Sequence, residues 1–290
     1  MGLVTKLLGV MGIETGAVFR EAARKGNDER VKELLQRNPG LLNSRNGAGL
    51  TALRFAIAGG HIKVVRELLY RGADVESKDK TGQTALSAAA IAGQKDIINL
   101  LLSKGARLDA KWDGGFTPLH MAAAVGNAEL VRLMIDQGAD RNAANDDGAT
   151  PLHCVCVPHT YMPGPRRRKS LEGCLATTRF LVEKGAGVNT PDKNGWTPLH
   201  LAVRVAAVDI VEHLLTHGAD PNARQNLGST PLHFALVRKN PRTERIVEML
   251  VAHGADVNAK TDAGVFPLGL AKKISPDVAA FLRAKGAEAP

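Results

Sequence analysis

The sequence predicts an all-α fold, a solenoid of short stacked helix pairs. Three observations carry this: a 33-residue period, a recurring tetrapeptide suited to starting a helix, and apolar side chains on more than one side of every repeat. Thr51, Thr84, Thr117, Thr150, Thr197 and Thr230 mark the period; the spacing is 33 residues except for 47 between Thr150 and Thr197, and Phe266 follows after 36. Thr-Pro-Leu-His opens at Thr117, Thr150, Thr197 and Thr230, and Thr51 and Thr84 open the relaxed forms Thr-Ala-Leu-Arg and Thr-Ala-Leu-Ser. A Gly-Ala step recurs at Gly72, Gly105, Gly138, Gly185, Gly218 and Gly254. Helices of roughly ten residues are marginal alone in water, so the repeats must stack into one continuous core however long the array becomes.

Each element of a repeat follows from its residues. Thr117 is a good N-cap, and Pro118 sits where the first-turn N–H has no intrahelical partner. The first helix runs through Leu119, Met121, Ala122 and Ala123, and Gly126 supplies the permissive backbone of a turn. Leu130, Val131, Leu133, Met134 and Ile135 form the apolar face of the second helix. Gly138 caps it, and the stretch 140–148, rich in Asn, Asp and Gly, makes an extended finger with a tight turn. Ala122, Ala123, Ala202 and Ala235 fall where neighbouring first helices need close approach, so the run Ser87 to Ala90 is a packing surface rather than low complexity.

Composition narrows the function classes. The 290 residues are 44% hydrophobic, 4% aromatic and 23% charged, which excludes collagen, an acidic disordered tail and a polytopic membrane protein. With 38 Lys+Arg against 29 Asp+Glu the net charge is +9, which favours acidic partners at long range without naming one. Three cysteines are no disulfide framework, and a reducing, cytoplasmic setting follows. Residues 1–16 are an apolar extension holding Leu3, Val4, Leu7, Leu8, Val10, Met11 and Ile13. The run is short, glycine-interrupted and closed by Glu14, which is poor for a signal peptide; Lys6 stands where myristoylation wants Ser or Thr. No stretch approaches 18 apolar residues, so no transmembrane segment is expected.

The period and the Thr-Pro-Leu-His signature together resemble the ankyrin-repeat family. The resemblance covers 17–290 and implies one domain: a degenerate N-terminal cap at 17–48, six full repeats over 49–263 and a C-terminal cap at 264–290. It implies antiparallel helix pairs, β-hairpin fingers roughly perpendicular to them, and a concave surface of fingers plus first helices. The first repeat is polar outside, with Arg20, Glu21, Arg24, Lys25, Asp28, Glu29, Arg30, Lys32 and Glu33, as terminal repeats require. Ser275-Pro276 restarts a helix at the other end. Both ends look finished, so one whole domain is expected. The function implied is that of a non-enzymatic, monomeric interaction module or scaffold that binds another protein through the concave surface.

Chemical alternatives fail on the residues. His120, His153, His200 and His233 share the fourth position of the signature, where a histidine can bond the threonine hydroxyl and neighbouring backbone. His213, His217 and His253 lie late in second helices, where they complement the helix dipole. His153, Cys154, Cys156 and His159 tempt a zinc reading, with Cys174 further along, but helical residues two apart point about 200° from each other. No Gly-rich phosphate loop, Gly-x-Ser-x-Gly elbow, His-Glu-x-x-His or kinase set is present. No catalytic residue, metal or cofactor is expected.

The irregularities point to partner sites. The 47-residue spacing holds an insertion of 14 residues, 158–171, with three prolines and a glycine, which forbid a helix through its middle. Arg166, Arg167, Arg168 and Lys169 make its cationic tip, beside Tyr161 and Met162. Clustered guanidinium groups suit phosphate or carboxylate recognition, and Arg-Arg-Lys-Ser also matches a basophilic kinase site. A second, smaller inter-helix loop near 238–245 is likewise basic. Nucleic acid or anionic lipid headgroups are therefore an alternative partner, held by the basic loop with Arg204, Arg238, Lys239 and Arg242. A secreted, host-interacting effector is a third possibility, different in destination rather than mechanism.

The family resemblance places recognition on the residue before the threonine, the finger tip and the late first-helix positions. Carried onto this chain it marks Phe116 and Trp196 before their threonines, the tips Lys80 and Lys193, and Val125, Arg204, Val205 and Arg238 on first helices; Trp112 joins them because, like Trp196 and Phe116, it falls in a finger, where an apolar core does not require it. Aromatic rings and arginines are also what interface hot spots tend to be. Where earlier repeats place Gly60, Gly93 or Gly126 between helices, the later ones have His159, Ala206 and Lys239, so their turns are expected to differ.

Overall fold

A computed structural model describes residues 15–156 and 170–288. Among them are sixteen α-helices and two 3-10 turns, Pro39–Leu41 and Asp113–Gly115. They divide into two compact units, Met1–Met121 and Ala122–Pro290, the boundary falling inside the helix Pro118–Ala124, here α7.

The N-terminal unit is built from three helix pairs: α1 (Gly16–Arg24) with α2 (Asp28–Arg37), α3 (Ala52–Ala58) with α4 (Ile62–Tyr70), and α5 (Ala85–Ala92) with α6 (Lys95–Ser103). First helices α1, α3 and α5 pack in succession, and second helices α2, α4 and α6 form a second row. Phe19, Leu34, Leu53, Ile57, Leu68, Leu86 and Leu101 are fully buried between the rows, each such burial stabilising by about 1.5–3 kcal/mol.

The C-terminal unit repeats this plan. Second helix α8 (Ala128–Asp136) is followed by α9 (Pro151–Cys156) and α10 (Leu171–Glu183), α11 (Pro198–Arg204) and α12 (Val208–Thr216), α13 (Pro231–Ala235) and α14 (Thr243–Ala252), and α15 (Pro267–Ile274) and α16 (Pro276–Ala284). First helices α9, α11, α13 and α15 pack in order, as do second helices α8, α10, α12 and α14. Ala202 and Ala235 are buried, the close approach their size allows.

Helix ends are set by the predicted residues. Thr51, Thr84 and Thr197 each cap a first helix, accepting the N–H of the third helical residue. The Gly-Ala step closes second helices: Gly72, Gly138 and Gly218 have positive φ, and the following alanine N–H reaches back to the carbonyl five residues earlier, as from Ala73 to Leu68 and from Ala219 to Leu214. That is the glycine-dependent Schellman closure. Ser275 caps α16 by accepting from the Val278 N–H.

The signature histidines join one repeat to the next. Nδ1 of His200 accepts the Thr197 backbone N–H at 3.2 Å and meets the Thr197 hydroxyl at 2.9 Å, so the ring proton lies on Nε2, which donates to the Ser229 carbonyl at 3.3 Å. His153 does the same toward Trp196 O at 3.1 Å and His233 toward Val265 O at 3.2 Å. Burial pushes the imidazole of His200 down to about 4 and also lowers those of His153 and His233.

The β-hairpin fingers are corrected. Among the described residues there is no strand, and the segments between repeats are loops folded on their own side chains. The Asn145 side chain accepts from the N–H groups of Asp147 and Ala149, and Asp79 does so from Thr81 and Gln83. Neighbouring loops exchange one backbone bond, as from Lys193 N–H to Asp147 O and from Asn226 N–H to Asn194 O. A single bond per pair is too sparse for a ladder, and Asx turns satisfy the remaining backbone groups locally. The inter-helix turns depart from expectation in another way. Ala206 takes the glycine conformation at φ 54° and closes the same turn, the Ala207 N–H reaching Ala202 O. At Lys239 the turn does differ, α13 ending already at Ala235. His159 lies outside the described residues.

Candidate interaction groove

Four residues marked in the sequence come together in the C-terminal unit. Trp196, Arg204, Val205 and Arg238 line one open groove of about 630 Å³, within the size range of ligand pockets. Trp196 is held by its backbone: the Asp192 carboxylate accepts its N–H at 2.9 Å, and its carbonyl takes the Asp192 N–H at 2.8 Å as well as His153 Nε2. The ring is therefore presented by a fixed loop at the mouth of α11.

The floor is aromatic. Trp196 and Phe234 lie with centroids 4.3 Å apart, both edge-on to His200 at 5.8 and 5.7 Å. The Arg204 guanidinium sits 4.8 Å from the Trp196 centroid, a cation–π contact that fixes the arginine over the ring. The far wall comes from the chain after α13, where Val237 is 58% exposed and Asn240 and Thr243 add polar groups. Arg242 ties this wall to the turn after α11, its Nη1 donating to the Ala206 carbonyl at 3.3 Å. Among the described residues no carboxylate lines the groove, and Arg238 in its lining is exposed.

Other sequence-marked residues are placed elsewhere. Trp112 belongs to the N-terminal unit and is only 7% exposed, with its ring edge-on to Phe116 at 6.4 Å; Phe116 is half-buried against His120. Lys80 and Lys193 are exposed on loops, and Val125 is half-buried just after α7. Tyr161, Arg166, Arg167, Arg168 and Lys169 lie outside the described residues. Cys154, Cys156 and Cys174 are buried and form no disulfide, and no cluster of three metal-binding side chains occurs among the described residues. No helix among them is long and apolar enough to cross a membrane.

Sequence reasoning missed Phe234 and Val237, both in the lining of the groove. The repeat pattern does not single out Phe234: its position holds Phe55, Ala88, Met121, Cys154 and Leu201 elsewhere, so an aromatic ring there is not unusual.

The family model for ankyrin repeats (3 copies) matches residues 19–112, 170–261 and 207–289, and the model for ankyrin repeats (many copies) matches 101–154. The chain belongs to the ankyrin-repeat family, whose domains are non-catalytic scaffolds of protein–protein interaction. Among solved structures it resembles the human ASB11 ankyrin repeat domain, with a TM-score of 0.68 and 23% identity over 82% of this chain and 98% of that one, a likeness of fold. A search of curated proteins finds no match.

Proposed function

We propose that the chain binds a partner protein through the face made by its first helices and the loops that lead into them, with the groove at Trp196, Arg204, Val205 and Arg238 as the main contact. The observation that carries this is the convergence of those four residues on one open groove, free of carboxylates among the described residues, whose aromatic floor is held by a fixed loop. Two packed repeats prebuild the surface, so association orders little chain. Lys193, and in the N-terminal unit Lys80 and Phe116, belong to the same class of loop and first-helix positions.

Affinity capture from native lysate tests it with the intact chain beside two variants, Trp196→Ala with Arg204→Ala, and a deletion of 158–171. Loss of a specific partner with the double substitution alone is the expected result. Loss with the deletion alone would move binding to the basic insertion and favour nucleic acid or anionic lipid, whose binding weakens steeply with salt.

A further inference from the structure

We propose that the groove between α11 and α13 takes an acidic peptide segment with a bulky apolar anchor residue, the carboxylates engaging Arg204 and Arg238 while the anchor enters against Val205 and Val237. This rests on the protein-binding reading above and names the partner's chemistry.

Charge complementarity is the first argument. Among the described residues the lining carries two guanidinium groups and no carboxylate, and the whole chain is at +9. Arg238 and Lys239 make no ion pair among the described residues, whereas the nearby Arg224 and Arg245 are engaged by Asp262 and Glu212. A bound carboxylate can therefore gain a planar, two-pronged contact at Arg238 without breaking an existing pair.

The apolar wall is the second argument, and it selects a peptide over a nucleic acid. Trp196 is already engaged by Phe234 at 4.3 Å and by the Arg204 guanidinium at 4.8 Å, so it is not a free platform for stacking a base. What remains open is aliphatic: Val237 is more than half exposed in water, and Val205 faces the same space. An apolar side chain inserted there removes both from solvent, the central-anchor arrangement found at interface hot spots. Arg204 is oriented in advance by its ring contact, and the far wall is tied back by Arg242 to Ala206 at 3.3 Å; both limit the ordering cost of binding.

The test is a selection of short random peptides displayed on phage against the full-length chain, followed by fluorescence anisotropy with the selected peptides. Three proteins are compared: the unaltered chain, Arg238→Glu and Val205→Asp, with thermal melting to confirm that both variants fold. Selected peptides should be rich in Asp and Glu around a Leu, Ile, Phe or Trp, and either substitution should weaken them by about tenfold or more. Random single-stranded DNA should not displace them. Binders without acidic enrichment that still require Val205 would overturn this proposal and leave the protein-binding reading standing. Acidic binders indifferent to both substitutions, or displaced by the DNA, would overturn it as well. Failure to select any binder would count against both.

Discussion

The two aromatic loops of this protein put their rings to opposite uses. In the N-terminal unit, Trp112 stands at the first loop position, where Asn46, Asp79, Asn145 and Asp192 stand in other repeats. With no Asx side chain to accept the loop N–H groups, the chain there closes as a 3-10 turn, Asp113–Gly115, with Gly114 and Gly115 both at positive φ. The indole is folded inward, and its Nε1–H finds no acceptor among the described residues. In the C-terminal unit, Asp192 keeps the Asx role, and the ring at Trp196 is left on the outside of a rigid loop beside Phe234. The two rings differ by their place in the loop: Trp112 stands five residues before its threonine and is buried, whereas Trp196 and its counterpart Phe116 stand just before theirs, half-buried and edge-on to the signature histidine.

Substitution of the two rings should separate these roles. Trp112→Ala is expected to cost about 3 kcal/mol or more of stability, because it empties a packed site. Trp112→Phe should cost much less, since it keeps most of the volume and removes a buried donor that lacks an acceptor. Trp196→Ala should cost only about 1 kcal/mol, the worth of an aromatic pair at a half-exposed position, while removing binding at the groove. Urea unfolding of the three variants checks the stability order; equal losses at Trp112 and Trp196 would erase the contrast.

The units also differ in what fills the fourth position of the signature. The N-terminal unit has Arg54, paired with Asp79 at 3.4 Å and bonded to Gln83, Ser87, bonded to Thr84, and at its boundary His120, bonded to Thr117. The C-terminal unit has His153, His200 and His233, each with a lowered pKa from burial. An unfolded imidazole titrates near 6.5, so below that pH the unfolded chain takes up protons that the folded chain refuses. Their contribution is therefore complete above about pH 6.5 and is lost as the pH falls toward the folded values, about 4 for His200. For His200 the loss amounts to roughly 3 kcal/mol over that window. Protonation would also place a hydrogen on Nδ1 facing the Thr197 N–H. Hydrogen exchange at pH 7 and pH 5 should show protection falling in α11 and α13 more than in α3 and α5.

Much of this was legible before any coordinates. The period, the threonine caps and the Gly-Ala closure are local rules, each needing one residue type at one position, and all three hold in the structure. Trp196, Arg204, Val205 and Arg238 were marked because their repeat positions are known; that they share a groove follows from the packing of α11 against α13. Phe234 was not marked, since a residue in the first turns of a buried helix reads as core until the early end of α13 uncovers it. The expected β-hairpins failed because the loops show no two-residue alternation and satisfy their N–H groups with Asp and Asn side chains instead. The inward placement of Trp112 was hidden because an apolar ring in a loop signals a contact without telling whether that contact is made within the repeat or outside it.

The smallest expected effect lies at the turn behind the groove. Ala206 is the only non-glycine residue at positive φ among the described residues, in a slot that Gly60, Gly93 and Gly126 fill elsewhere at φ 71°, 73° and 68°. A Cβ in the left-handed region costs roughly 1–2 kcal/mol, and glycine returns part of that gain through its greater freedom when unfolded. Ala206→Gly should therefore stabilise the protein by about 0.5–1 kcal/mol, read as a higher urea midpoint at unchanged slope. Groove affinity should stay the same or fall slightly, because Ala206 contributes its side chain to the lining and its carbonyl to Arg242. Should the variant be less stable than the parent, the Ala206 methyl group, buried at 7% exposure, would be worth more in packing than the backbone loses in strain, and the turn would be held by its side chain rather than in spite of it.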